Sequence, residues 1–126
     1  MIVTRRDIIY VGVDGAVGSE QDGDRPAIVI QNDIGNKYSP TIIVAFATGS
    51  VTKTRLPTHV VAHKEDVVFD NAISEAKFKN STILLEQVRT IDKKRIKPGK
   101  VGRLSEEKMR EVDMALAISI GLTIAI

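Results

Sequence analysis

The sequence predicts a mostly β protein with helices, a small antiparallel barrel or curled sheet closed by a late helix. Two observations carry this expectation. Short runs rich in β-branched residues recur from Asp7 to Val88, each bounded by Gly, Asn, Asp or Pro. One stretch alone, "LSEEKMREVDMALAISIGL", combines helical apolar spacing with a cap at each end. The 126 residues suffice for one domain, 1–126, with a single core, and no repeat, low-complexity tract or linker divides them.

Taken in order, Asp7 to Val13 is β-branched and reads as a strand, followed by a polar loop from Asp14 to Asp24 with glycines at Gly15, Gly18 and Gly23. Ala27 to Gln31 is a second strand, stopped by Asn32-Asp33 and the turn-rich Gly35-Asn36. "TIIVAFA", Thr41 to Ala47, is apolar on both faces, as in a strand that is central or covered by a partner. Thr58 to Ala62 and Thr82 to Val88 add two strands. Between them Lys64 to Asn80 is ambiguous; its middle, around Ala72 to Lys77, suits a short helix in a mobile connection. In the late helix Ser105 is the expected cap, Glu106 and Glu107 favour the positive end of the dipole, and Gly121 ends it. Met109, Val112, Leu116 and Ile120 form its face to bury.

Composition narrows the function. Charged residues at 27% and hydrophobic ones at 43% describe a globular chain. With no cysteine there is no disulfide, thiolate metal site or cysteine nucleophile, which suits a cytoplasmic location. Arg5-Arg6-Asp7 breaks the N-terminal apolar stretch, so no signal peptide is expected. The apolar run Ala115 to Ile126 is too short for a membrane span. Half of the 18 basic residues lie between Arg89 and Arg110, a cluster suited either to a polyanion or to a solvated helix start.

No metal or cofactor is expected. Glu20-Gln21-Asp22-Gly23-Asp24 lacks the spacing and closing glutamate of a calcium loop, and His59 and His63 stand four apart on a strand, not a helix. There is no phosphate-binding glycine loop. What remains is Arg25, which Pro26 restrains toward extended geometry where the polar loop meets a strand. Its guanidinium suits bidentate contact with a phosphodiester; it equally suits a structural pair with Asp22 or Asp24. Thr48 emerges from "TIIVAFA", and His59 has the side chain that titrates nearest neutrality.

"GSEQDGDRPAIVIQNDIGNKYSPTIIVAFAT", "LPTHV" and "ILLEQVRTIDKKRI" together resemble the MazF/PemK-type toxins of bacterial type II toxin–antitoxin systems, over nearly the whole chain. The resemblance implies an SH3-like barrel of the MazF/CcdB type and a homodimer. It further implies a metal-independent, sequence-specific endoribonuclease, an mRNA interferase that cuts single-stranded mRNA to 2′,3′-cyclic phosphate and 5′-hydroxyl ends. The implied partner is a MazE-like antitoxin whose C-terminal tail covers the RNA groove. By motif position Arg25 and Thr48 would be catalytic, with His59 a candidate for sharing the proton transfer. Arg5, Ser19, Glu20, Gln21, Leu56, Pro57, His59, Glu86 and Gln87 would contact RNA.

Three features depart from the family pattern: Arg6 stands where glycine is usual, Asp24 sets an acid beside Arg25, and the connection from His63 to Asn80 is long. Two other functions stay open on the residues alone. One is a toxin of the same fold that binds a protein such as gyrase without cutting RNA; the other is a non-catalytic RNA-binding regulator. The aromatic count, three Phe and two Tyr with no Trp, disfavours a binder that stacks successive bases and favours reading of base edges.

Overall fold

Among the described residues seven strands pair antiparallel in one sheet: β1 (Asp7–Val13), β2 (Gly23–Val29), β3 (Thr41–Thr48), β4 (His59–Ala62), β5 (Val67–Phe69), β6 (Ser81–Asp92) and β7 (Gly102–Leu104). Their order is β4-β6-β3-β2-β1-β7-β5. The computed structural model describes residues 2–13, 23–49, 51 and 56–122. Among these residues three α-helices accompany the sheet, α1 (Asp33–Tyr38), α2 (Ala72–Lys77) and α3 (Glu106–Ser119).

The sheet curls. Ala62 of edge strand β4 and Val67 of the opposite edge strand β5 belong to one apolar cluster, with Ile8, Ile28, Ala45, Ile83 and Leu85 from the strands between. Met109, Val112 and Ala115 of α3 close that cluster, packing over β6 and β4. The other face carries a second cluster, Ile9, Val11, Ala27, Val29, Ile42, Val44, Phe46 and Ile91, covered by Val3 and Ile96. β3 runs between β2 and β6 and feeds both clusters, which is why "TIIVAFA" is apolar on both faces. Its apolarity is used inside the chain and leaves no surplus for a partner.

The late helix has the expected ends. The Ser105 hydroxyl accepts from the Lys108 amide at 3.2 Å. At the other end Gly121, at φ +74°, donates to Ile118 and Leu122 donates to Ala117, a Schellman stop. Its buried line differs by one member: Leu116 packs against the core, whereas Ile120 lies past the last helical residue and is exposed. Met114 and Ile118 of α3 and Leu122 just beyond it are exposed as well, at 53%, 52% and 61%, so the late helix carries apolar surface that the chain does not cover. Among the described residues no helix is long and apolar enough to cross a membrane.

Two segments depart from expectation. Asn32 to Ser39 is a short helix and not a turn, because the Asn32 side chain accepts from the Gly35 amide at 2.8 Å and caps it. Lys64 to Asn80 does contain the short helix, α2, but it is no loose connection. It supplies β5, which pairs with β7, and it buries Val67 and Phe78, whose ring meets Phe69 edge-on at 5.5 Å.

Candidate functional site

Side chains alternate along a strand, so Arg25, Ala27 and Val29 of β2 share one face. Ala27 pairs with Phe46 across the β2–β3 ladder, which sets Arg25 diagonally beside the ring. The Arg25 guanidinium carbon stands 4.4 Å from the Phe46 centroid. Phe46 is buried, and the flat cation lies on the ring's negative face. Arg25 therefore sits inside a paired strand, since β2 begins at Gly23 and not at Ala27.

A register shift builds the rest. Ala45 pairs with Val88 and Ala47 with Ile83, so Phe46 alone faces the segment Leu84 to Gln87 of β6. The bulge leaves Glu86 and Gln87 out of the β3 ladder, and Glu86 reaches His59 of β4, which pairs with Leu84. Beyond the bulge Arg89, paired with Val44, returns to the face of Phe46, its guanidinium carbon 5.8 Å from the same centroid. Two cations thus share one ring, and among the described residues no carboxylate forms an ion pair with either. Asp24 does not neutralise Arg25: as its neighbour along the strand it points to the other face and lies 3.8 Å from Lys97.

Thr48 ends β3 two residues after Phe46, on the same face and half-buried, with Thr82 as its cross-strand partner. Thr82 pairs in turn with Val61, and His59 lies two residues before it on that same face. The His59 ring is tightly held. Its Nδ1 lies 3.2 Å from the Leu56 amide and its Nε2 2.7 Å from Glu86 Oε1, while the Thr58 hydroxyl donates to Glu86 Oε2 at 2.6 Å. Burial pushes the Glu86 pKa up, but hydrogen bonds from Thr58, its own backbone amide and His59 outweigh it and hold the carboxyl below its ordinary range. Leu56 and Pro57 are exposed on the adjoining turn.

Arg25, Thr48, His59, Glu86, Gln87, Leu56 and Pro57 thus belong to one side of the sheet around Phe46. Arg5 does not join them. Its Nε donates to the Ile30 carbonyl at 3.1 Å and its Nη1 to Asp113 of α3 at 3.3 Å, at the end of β2 remote from Arg25. The expected contacts Ser19, Glu20 and Gln21 lie outside the described residues. In the sequence Arg89 is only one member of a basic cluster; the two-residue alternation Gln87, Arg89, Ile91 is the signal that sets it on this face.

The fold is shared by solved structures of low identity. An endoribonuclease from a Mycobacterial species superposes with a TM-score of 0.74 at 16% identity, covering 99% of this chain and 97% of that one. An endoribonuclease in complex with its cognate antitoxin, also from a Mycobacterial species, gives 0.70 at 16% identity, covering 98% and 99%. A MazE-MazF structure from Deinococcus radiodurans gives 0.71 at 15% identity, with the same coverage. Residues 4–120 match the model of the PemK-like, MazF-like toxins of type II toxin–antitoxin systems, and the chain belongs to that family.

Proposed function

We propose that this toxin is a metal-independent endoribonuclease that cuts single-stranded mRNA at a short sequence and so stops translation and growth. The observation that carries the reading is the Arg25 guanidinium seated on Phe46, on the same face as Thr48 and free of any described carboxylate. RNA brings its own nucleophile. The 2′-oxygen attacks the adjacent phosphorus as its proton leaves, the bond to the 5′-oxygen breaks, and that oxygen takes up a proton. The products are a 2′,3′-cyclic phosphate and a 5′-hydroxyl. The protein must hold attacking and leaving oxygens in line and stabilise the charge that builds on the phosphorane.

Arg25 fits the second requirement, because a guanidinium forms paired hydrogen bonds with phosphate oxygens. Thr48 supplies a neutral donor to the same phosphate. Arg89 adds a second cation for a neighbouring phosphate, and Gln87 and Glu86 offer groups to exposed base edges. Leu56 and Pro57 line the groove, with Ser19, Glu20 and Gln21 as loop contacts. The expected partners are a second copy of this chain, for which the exposed apolar residues of α3 provide surface, and a MazE-like antitoxin whose tail occupies the groove. Incubating the protein with a long RNA in EDTA and mapping the new 5′ ends tests the reading. Discrete 5′-hydroxyl ends are expected, and intact RNA overturns it.

A further inference from the structure

His59 is the candidate proton carrier of the sequence, yet both nitrogens of its ring are engaged. A backbone amide only donates, so Nδ1 must accept the Leu56 N–H and therefore holds the lone pair of the ring. The ring proton is then on Nε2, pointing at Glu86 Oε1, and a carboxylate only accepts. Thr58 completes the chain by donating to the other oxygen of Glu86. The side chain is only 11% exposed. A general base needs a free lone pair facing the 2′-hydroxyl, and here the one lone pair faces the Leu56 amide. Adding a proton to Nδ1 would set two N–H groups against each other and break the contact.

The same bonds give the ring another role. Leu56 to His59 is a turn in which the His59 amide donates to the Leu56 carbonyl at 2.9 Å, with Pro57 in the second position that suits its fixed φ. Leu85 donates to the Thr58 carbonyl at 2.9 Å, and the imidazole ties the start of the turn to the β6 bulge through Glu86. Leu56, 52% exposed, and Pro57 then stand as an exposed apolar pair on a turn held through His59 to Glu86. We infer that His59 is a positioning residue, fixed as the Nε2–H tautomer, which holds the Leu56–Pro57 wall as a seat for one unstacked nucleobase of the RNA and carries no proton in the reaction. This rests on the RNA-cleavage reading above.

The test uses the full chain. In ring-nitrogen NMR of the wild-type protein at neutral pH, His59 should show a lone-pair resonance for Nδ1 and a protonated one for Nε2; the reverse pattern overturns the inference. His59→Asn keeps an acceptor near Nδ1, and His59→Gln keeps a donor near Nε2. Single-turnover cleavage by either should show weaker binding of RNA, by about tenfold, the scale of one lost base contact, with the maximal rate within about threefold of wild type and the pH–rate profile unchanged in shape. His59→Ala should bind more weakly than both. A maximal rate lower by about a hundredfold, with a titration near neutrality abolished, would make His59 the general base and sink the inference. If the wild-type protein leaves RNA intact, the cleavage reading fails by that result and the proposed seat fails with it, whatever tautomer the NMR reports.

Discussion

The guanidinium of Arg25 lies 4.4 Å above the ring of Phe46, and the Arg89 guanidinium shares that ring at 5.8 Å. The ring is fixed by burial, so it presents a cation at a set height over the sheet without neutralising it. That combination favours an anion over any structural pairing.

Arg25→Ala should leave a folded protein, because the core beneath it is intact, while RNA cleavage falls about a thousandfold, the upper end for one transition-state donor. Arg25→Lys should rescue poorly, since an ammonium does not reproduce the flat two-pronged contact. Thr48→Ala removes a neutral donor and should cost about tenfold. Cleavage rates with circular dichroism as the folding control check all three; wild-type cleavage by Arg25→Ala would remove this site from the chemistry.

Glu86 carries the acid-side prediction. Its carboxyl releases its proton more readily folded than unfolded, because Thr58, its own amide and His59 donate to the ionised form. Its contribution to stability is therefore present above the ordinary value of 4.5 and is lost as pH falls through the lowered one. Glu86→Gln should lower Tm at neutral pH, and the gap to wild type should narrow below pH 4.5. A gap that stays constant with pH would show that ionisation of Glu86 does not matter to the fold.

Arg6 is the one non-glycine residue in the left-handed region among those described, at φ +82°. An L side chain there costs about 1–2 kcal/mol, and the offsetting ion pair with Glu106, at 3.1 Å, involves a carboxylate 75% exposed and contributes about 1 kcal/mol at most. Arg6→Gly should therefore raise Tm by a few degrees. A fall in Tm on thermal melting would mean that packing of the Arg6 stem outweighs the strain.

At Gly102 an added Cβ would meet the Val68 carbonyl oxygen at 2.3 Å, so β5 and β7 approach too closely for any side chain there. Gly102→Ala should cost about 1–3 kcal/mol in a denaturant melt, and deleting residues from β5 or α2 should destabilise the domain. Unchanged stability after either change would return this segment to the status of a loose connection.

Some of this was fixed by local chemistry. Ser105 and Gly121 bounded the late helix because a hydroxyl acceptor and a residue free to adopt positive φ are needs of the backbone itself. "TIIVAFA" announced a strand covered on both faces, and Pro26 held Arg25 extended beside it. Other features required the assembled sheet. β5 has three residues, too few for a period, and exists because Gly102 lets β7 come close. Arg89 reaches Phe46 only through the β3–β6 pairing that sets it opposite Val44, and Asp24 finds Lys97 only across the fold. The state of His59 is the sharpest case. Its residue type promised a titrating base, but its ring proton is assigned by a donor from Leu56 and an acceptor from Glu86, which the β4–β6 pairing brings together. An imidazole offers one lone pair and one proton, and which partners take them depends on neighbours that only the folded sheet supplies.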